Sequence, residues 1–340
     1  MKKRVVAYRR LPAAAAELLE AHCELRIADA DSERAAFLDA LANAHAMIGN
    51  KLRITPALLD AAPLLETAAT ISAGYDDFDV PELTRRGVVL TNTPAEVTET
   101  TADLVFALML ATARRIAELD ASTRRGQWRA SSGPAQFGVD VHHKTLGIVG
   151  LGRIGAAVAR RAALGFGMKV LYTNRTRNAE AESAYGAEAR ALPDLLAEAD
   201  FVCVLLPLSD ATHKLIGASE LRRMKRTGIL INCGRGPVVD EAALVEALHE
   251  RRILGAGLDV YESEPLGASP LFTLPNVVVA PHIGTATQET RDAMAARAAQ
   301  NVLDALDGRV TSTYVNPEAL EHSATFPKRH AASITGLADR

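Results

Sequence analysis

The sequence has little of what would mark a specialised class. Cysteine is scarce: Cys23, Cys203 and Cys233 are odd in number, scattered and without metal-ligand spacing, which argues against a disulfide framework and fits a reducing cytoplasm. Basic residues are in no surplus, with 38 Lys and Arg against 41 Asp and Glu. A broad electrostatic footprint for nucleic acid is therefore not expected, and a small anionic ligand would need a local basic site. No apolar run approaches the roughly 18 residues of a membrane span. The start, Met1-Lys-Lys-Arg4, is basic like that of a signal peptide, but only Val5 to Tyr8 follow before Arg9 and Arg10 interrupt. What remains is a globular composition, 48% hydrophobic and 23% charged, and a length of 340 residues that exceeds the usual single core and implies two domains.

Short apolar runs alternate with helical periods along the chain. Strands are expected at Val5–Tyr8, Glu24–Ile27, Ala46–Gly49, Ala68–Ser72 and Val88–Thr91, with helices through Ala13–Ala21 and Glu33–Leu41 and from Pro56, where Thr55 suits an N-cap. Such alternation implies parallel βαβ units. After Asn92-Thr-Pro94 comes a long Ala/Leu/Met-rich helix, Val97–Ile116, with few polar faces, as a buried or interdomain helix would have. The segment Arg124–Val141, with Gly126, Trp128, Gly133 and Pro134, is irregular and too long for a simple connection; it reads as an arm toward a second subunit.

The stretch Thr145-Leu-Gly-Ile-Val-Gly-Leu-Gly-Arg-Ile-Gly155 organises the rest. A strand, Leu146–Val149, runs into G-L-G-R-I-G and then into an alanine-rich helix from Ile154 to about Ala163. Gly150 would allow the tight turn, Gly152 would let a pyrophosphate approach the backbone, and Gly155 would let helix and strand pack closely. The phosphates would meet the free N–H groups and the dipole of the helix N-terminus. Strands at Lys169–Thr173, Phe201–Leu205, Ile229–Cys233, Gly257–Val260 and Val277–Ala280, with helices at Leu192–Glu198 and Glu241–Arg251, complete a doubly wound sheet. A last helix, Thr287–Asp307, is expected to pack back on the first domain. The expected fold is thus α/β, with two doubly wound parallel-sheet domains: a Rossmann dinucleotide-binding domain over 98–288 and a discontinuous, flavodoxin-like substrate domain over 1–97 and 289–317. Residues 318–340 lack clear periodicity and are expected to be a mobile tail.

An NAD site places Asp or Glu about 20 residues after the glycines to accept from the ribose 2′-OH. Tyr172-Thr-Asn-Arg-Thr-Arg177 has no acid. Asn174 is neutral, and Arg175 could form charge-assisted hydrogen bonds to the extra phosphate of NADPH, with Thr176 and Arg177 in reach. The alternative is a solvated basic turn. The expectation is NADPH, with NADH weaker.

Ligands of such sheets bind at the carboxyl ends of the strands. After Ile229–Cys233 comes Gly234-Arg235-Gly236, where a guanidinium between two glycines suits a fork on a carboxylate; a surface Arg in a turn is the bland reading. After Gly257–Val260 comes Tyr261-Glu-Ser-Glu264-Pro265, and after Val277–Ala280 comes Pro281-His282-Ile283-Gly284. A His with a carboxylate at the neighbouring strand end is what a general acid with a raised pKa needs.

These motifs, with N-C-G-R-G-P-V-V-D-E at Asn232–Glu241, G-L-D-V-Y-E-S-E-P at Gly257–Pro265, P-H-I-G-T-A-T at Pro281–Thr287, I-S-A-G-Y-D-D-F-D at Ile71–Asp79 and D-V-H-H-K-T-L-G at Asp140–Gly147, resemble those of the D-isomer-specific 2-hydroxyacid dehydrogenases, over nearly the whole chain to about Asn316. Within that family the likeness is to reductases of glyoxylate, hydroxypyruvate and 2-ketogluconate. The resemblance implies that Arg235 holds the substrate carboxylate, that His282 donates a proton, that Glu264 orients and charges His282, and that two domains close over the substrate. It implies that Ser72, Ala73 and Gly74 offer backbone N–H groups to the carboxylate. It also implies that Cys233 and Asp259 lie at the nicotinamide, with Gly284 in the same loop as His282, that Thr101 and Pro207 line the cofactor cleft, and that Arg153 and Ile154 lie at the pyrophosphate. A homodimer, with the arm and the Val97–Ile116 helix in the contact, is expected.

Two other classes stay open on the sequence. Nucleotide-sensing corepressors share the triad, and phosphoglycerate dehydrogenases share the scaffold, their long forms carrying C-terminal domains for which this chain is too short. Lys51 and Arg53 either reach distal substrate groups or form a solvated pair. His142 and His143, being adjacent, point to opposite faces in extended chain, so no metal is expected there.

Overall fold

The computed structural model describes residues 2–309 and 313–322. Strand and helix alternate from the start: β1 (Arg4–Ala7), α1 (Ala13–His22), β2 (Glu24–Ile27), α2 (Arg34–Leu41), β3 (Ala46–Gly49), α3 (Pro56–Asp60), β4 (Thr67–Thr70), α4 (Val80–Arg85) and β5 (Val89–Thr91). The five strands pair in parallel in the order β2-β1-β3-β4-β5, the flavodoxin-like arrangement. β3 and β4 are buried at every position, as strands covered on both faces must be. Thr55 and Asp79 cap α3 and α4 by accepting from the N–H groups of Leu58 and Glu82, and each helix has a proline in its first turn.

The chain continues with α5 (Thr98–Ala113), α6 (Ile116–Arg124), β6 (Thr145–Val149), α7 (Arg153–Phe166), β7 (Lys169–Thr173), α8 (Ala179–Tyr185), β8 (Glu188–Ala189), α9 (Leu192–Glu198), β9 (Phe201–Val204), α10 (Ala218–Arg223), β10 (Ile229–Asn232), α11 (Glu241–His249), β11 (Gly255–Leu258) and β12 (Val277–Val279). These strands form a second parallel sheet in the order β12-β11-β10-β9-β6-β7-β8. Its order reverses between β6 and β9, which opens a crevice at their carboxyl ends. Both sheets are those the sequence patterning implies.

The last helix is α12 (Gln288–Leu306), capped by Thr287. By density of contacts the chain divides into two units. Among the described residues, those to Val97 and from Ala286 form one, and Thr98–Thr285 form the other. α12 lies on α1, β3, β4 and β5, burying Ala295, Ala298, Ala299 and Val302. Beyond it Asn316, 1% exposed, accepts from Leu90 N–H at 2.7 Å and donates to the Val88 carbonyl and the Thr84 hydroxyl at 3.0 Å.

Two local expectations are corrected. The long helix expected to Ile116 stops at Ala113, because Arg115 turns left-handed with φ 56° and starts α6 in a new direction. The Arg115 guanidinium holds that turn by pairing with Glu118 and donating to the carbonyls of Ala135 and Phe137. The region from 318 is not loose at its start: Pro317–Glu321 makes a 3-10 turn and buries Ala319 and Leu320 beside Val89. Residues 323–340 of the expected tail lie outside the described residues.

Candidate active site

The turn after β6 shows a separate reason for each glycine. Gly150 has φ 105°, which favours glycine, and its missing side chain faces Leu205 and Leu206. A Cβ on Gly155 would stand 2.5 Å from the Gly150 carbonyl oxygen, so α7 can lie against the turn only without one. A Cβ on Gly152 would meet nothing within 4 Å. The fold itself therefore does not require glycine there, and the open space faces the start of α7. That helix has no side-chain cap and no acid in its first turn, with Arg153 exposed and Ile154 half-buried. Free N–H groups and a helix dipole at an open space fit a bound phosphate.

Asn174 acts differently from the sequence reading. Its Oδ1 accepts from Leu151 N–H at 2.8 Å and its Nδ2 donates to the Leu151 carbonyl at 3.2 Å, and Asn178 Nδ2 donates to the same carbonyl at 3.2 Å. The exposed side chain thus clasps the glycine turn through both atoms of its amide. Arg177 is also committed, with Nε and Nη2 donating to Glu182 at 2.9 and 2.8 Å, while the Tyr172 hydroxyl donates to the same carboxylate at 2.5 Å. Arg175 is exposed and makes no hydrogen bond or ion pair among the described residues. With Asn174, Thr176, Arg177 and Arg190 it lines a depression at the ends of β7 and β8 that has no carboxylate in its wall.

At the other strand ends of this sheet the close packing is equally specific. Cβ atoms on Gly234 and Gly236 would collide with the carbonyl oxygens of Leu206 and Tyr261 respectively, so the two glycines let neighbouring main chain pass and leave Arg235 projecting between them. Asn232, 1% exposed, shapes the turn by accepting from Gly234 N–H at 3.1 Å and donating to the Arg235 carbonyl at 3.2 Å. Past β12, His282 sits in the left-handed region with φ 53°. Its Nδ1 lies 2.5 Å from Glu264 Oε2, and Glu264 Oε1 accepts from Tyr261 N–H at 3.0 Å. Burial alone would raise the Glu264 carboxyl; the hydrogen bonds from His282 and Tyr261 and the charges of His282 and Arg235 outweigh it and hold the group below its ordinary value. Pairing through Nδ1 leaves Nε2 of the half-exposed ring for a reacting oxygen.

Asp259, 2% exposed, receives Ile283 N–H at 2.7 Å and Gly284 N–H at 2.9 Å, and the Thr101 hydroxyl donates to the Gly284 carbonyl at 3.2 Å. Burial pushes the Asp259 carboxyl up against these two bonds. Thr101, Asp259 and Gly284 thus meet at one point and fix the loop that carries His282. Cys233 is buried, with its thiol well above the ordinary value through desolvation, and its N–H donates to the Val204 carbonyl. Pro207 is exposed after β9, where its carbonyl accepts from the Thr212 hydroxyl.

In the other unit, Ser72, Ala73 and Gly74 follow β4. Gly74 N–H donates to Ser72 Oγ at 3.1 Å, and Asn92, which sequence reasoning passed over, donates to the Ala73 carbonyl at 2.8 Å. Lys51 is left-handed with φ 53°, and its carbonyl accepts from Arg9. His142 is 3.8 Å from Asp140, and the His143 ring packs at Gly167.

A doubly wound sheet with an open glycine turn, and an arginine and an acid-paired histidine at its strand ends, defines a dinucleotide-dependent oxidoreductase. The family model "D-isomer specific 2-hydroxyacid dehydrogenase, NAD binding domain" matches residues 106–284. The chain is 50% identical over 324 residues to glyoxylate/hydroxypyruvate reductase B of Serratia proteamaculans (strain 568), covering 94% of this chain and all of the relative. It is 51% identical over 322 residues to the protein of the same name in Salmonella typhi, covering 94% and 99%. A solved NADPH-dependent glyoxylate/hydroxypyruvate reductase from Sinorhizobium meliloti, in complex with NADP and malonate, superposes with a TM-score of 0.84 at 32% identity, covering 97% of this chain and 99% of that one. The chain belongs to the D-isomer-specific 2-hydroxyacid dehydrogenase family, NAD(P)-dependent oxidoreductases.

Proposed function

We propose that this protein is an NADPH-preferring reductase that converts small 2-keto acids, glyoxylate, hydroxypyruvate and 2-ketogluconate among them, to D-2-hydroxy acids. The observation that carries the reading is the 2.5 Å pairing of His282 with Glu264, beside an Arg235 close enough for its charge to lower that carboxyl. When bound, the reduced nicotinamide supplies a hydride to the keto carbon. Glu264 pairs with Nδ1 of His282, whose Nε2–H delivers the proton to the keto oxygen. Arg235 grips the carboxylate and polarises that oxygen; in the other unit, the main-chain N–H groups of Ala73 and Gly74 are donors suited to a carboxylate.

For the cofactor, Gly150, Gly152, Gly155, Arg153 and Ile154 hold the pyrophosphate, Thr101, Pro207, Cys233, Asp259 and Gly284 shape the nicotinamide side, and Arg175 with Thr176 receives the 2′-phosphate. The 50% identical glyoxylate/hydroxypyruvate reductases and the NADP-bound neighbour support the substrate class and NADP as cofactor. The substrate and cofactor test is kcat/KM for the three keto acids with NADPH and NADH. Turnover with NADPH at least about tenfold above NADH is expected; equal use of both, or no turnover, overturns the reading.

The protein acts as a homodimer in the same proposal. Ile116 on α6 and Trp128 and Phe137 on the segment after it are 56%, 71% and 62% exposed, an apolar group suited to a second copy. α5 contributes less than the sequence implies, since Val105, Phe106, Leu108 and Met109 are buried within its own unit against α7, β10 and β11.

A further inference from the structure

Among the buried polar side chains of the first unit, Asn92 and Asn301 belong to one chain of contacts. Asn92, the residue after β5, is 9% exposed. Its main-chain N–H donates to the Thr313 carbonyl at 3.2 Å, and its carbonyl accepts from Asn301 Nδ2 at 3.0 Å. Asn301, on α12 and 1% exposed, is held in turn by the Thr313 hydroxyl, which donates to its Oδ1 at 3.0 Å. Asn92 is thus anchored on both sides of its main chain. From that anchor its Nδ2 reaches the Ala73 carbonyl at 2.8 Å, while the next residue, Thr93, donates its N–H to the Ser72 carbonyl at 3.0 Å.

Packing alone does not call for an amide here. Burying one costs desolvation that an aliphatic side chain would avoid, and the hydrogen bonds recover only part of it. What the amide provides is direction. In a planar trans peptide the carbonyl oxygen and the following N–H point to opposite sides. Holding the Ser72 oxygen at Thr93 therefore turns Ala73 N–H away from β5, and holding the Ala73 oxygen at Asn92 turns Gly74 N–H away as well. Two consecutive donors are aimed outward by two consecutive residues. The Gly74 donor is taken up by the Ser72 hydroxyl at 3.1 Å, a single weak bond within the loop that a substrate carboxylate would displace.

We propose that Asn92 is a positioning residue for recognition of the substrate carboxylate: anchored by Asn301, it fixes the peptide plane that presents Gly74 N–H. The inference rests on the reading of this chain as a 2-keto acid reductase. It is tested with Asn92→Ala and with Asn92→Asp, which keeps the shape but sets an acceptor against the Ala73 oxygen. Both variants are expected to raise KM for glyoxylate at least tenfold and the inhibition constant of oxalate by a similar factor. kcat should fall less than threefold and KM for NADPH should stay within twofold. If Asn92→Ala does not accumulate as folded protein, Asn92→Asp decides. A lowered melting temperature with unchanged KM and oxalate inhibition would show a structural role only and overturn the proposal. A wild-type enzyme without 2-keto acid turnover overturns the functional reading together with the inference, whereas normal wild-type turnover with unchanged variants overturns the inference alone.

Discussion

At His282 the ring and the backbone are held by different neighbours. Glu264 pairs with Nδ1, while Asp259 holds the left-handed backbone through Ile283 and Gly284. His282→Ala removes the proposed proton donor and should lower kcat/KM by roughly 100- to 10,000-fold with NADPH binding retained, as read by fluorescence titration. Glu264→Gln leaves a hydrogen-bond acceptor but no charge. It should lower kcat/KM while leaving NADPH binding intact, and an unchanged kcat/KM would refute the proposed role. The same pair affects folding. Glu264 is held below its ordinary value of 4.5, so its contribution is full above that value and is lost as pH falls through the lowered one. The acid limb of the urea midpoint against pH should flatten in Glu264→Gln. The placing of Glu264 and His282 at neighbouring strand ends was legible because each follows a strand in sequence. The bond of Asn92 to main chain was not, since an amide that reaches a carbonyl 19 positions away leaves no period or spacing to read.

Among the elements, the glycine turn and the β7 end work as a unit joined by Asn174 and Asn178. Sequence spacing singled out Asn174 but not its bonds to Leu151, because a side chain facing a ligand and one clasping its own turn look identical in a string of letters. The distinction has consequences. Asn178→Ala should weaken NADPH and NADH alike by loosening Leu151, whereas Arg175→Ala should cost NADPH alone. Hydrogen bonds to charged groups contribute about 1.5–3 kcal/mol, so the NADPH/NADH ratio of kcat/KM should fall roughly 10- to 150-fold in Arg175→Ala. A drop shared equally by the two cofactors would remove Arg175 from the phosphate site. Helix boundaries show the same division between what is periodic and what is not. α12 was readable from its caps and period, but the break at Arg115 contains neither glycine nor proline and depends on Glu118 and on carbonyls some 20 residues away. β11 was displaced by two residues because Gly255-Ala-Gly-Leu258 has little strand propensity of its own.

For the whole molecule, alternation of strand and helix was enough to foresee two parallel sheets, since only crossover connections join parallel neighbours. A mass of two chains by light scattering at micromolar concentration is expected, and Trp128→Glu should shift it toward one; a wild-type monomer would end the dimer proposal. The order in which the units become complete adds a further consequence. Residues 98–285 form a continuous unit, but the first sheet lacks α12 and the Asn316 plug against β5 until the last part of the chain has been made. On the ribosome the downstream unit therefore has all of its parts before the upstream one. A nascent chain arrested at residue 285 would carry an uncovered apolar sheet face on β3, β4 and β5, and should be the species most dependent on chaperones and most easily cut by protease during synthesis.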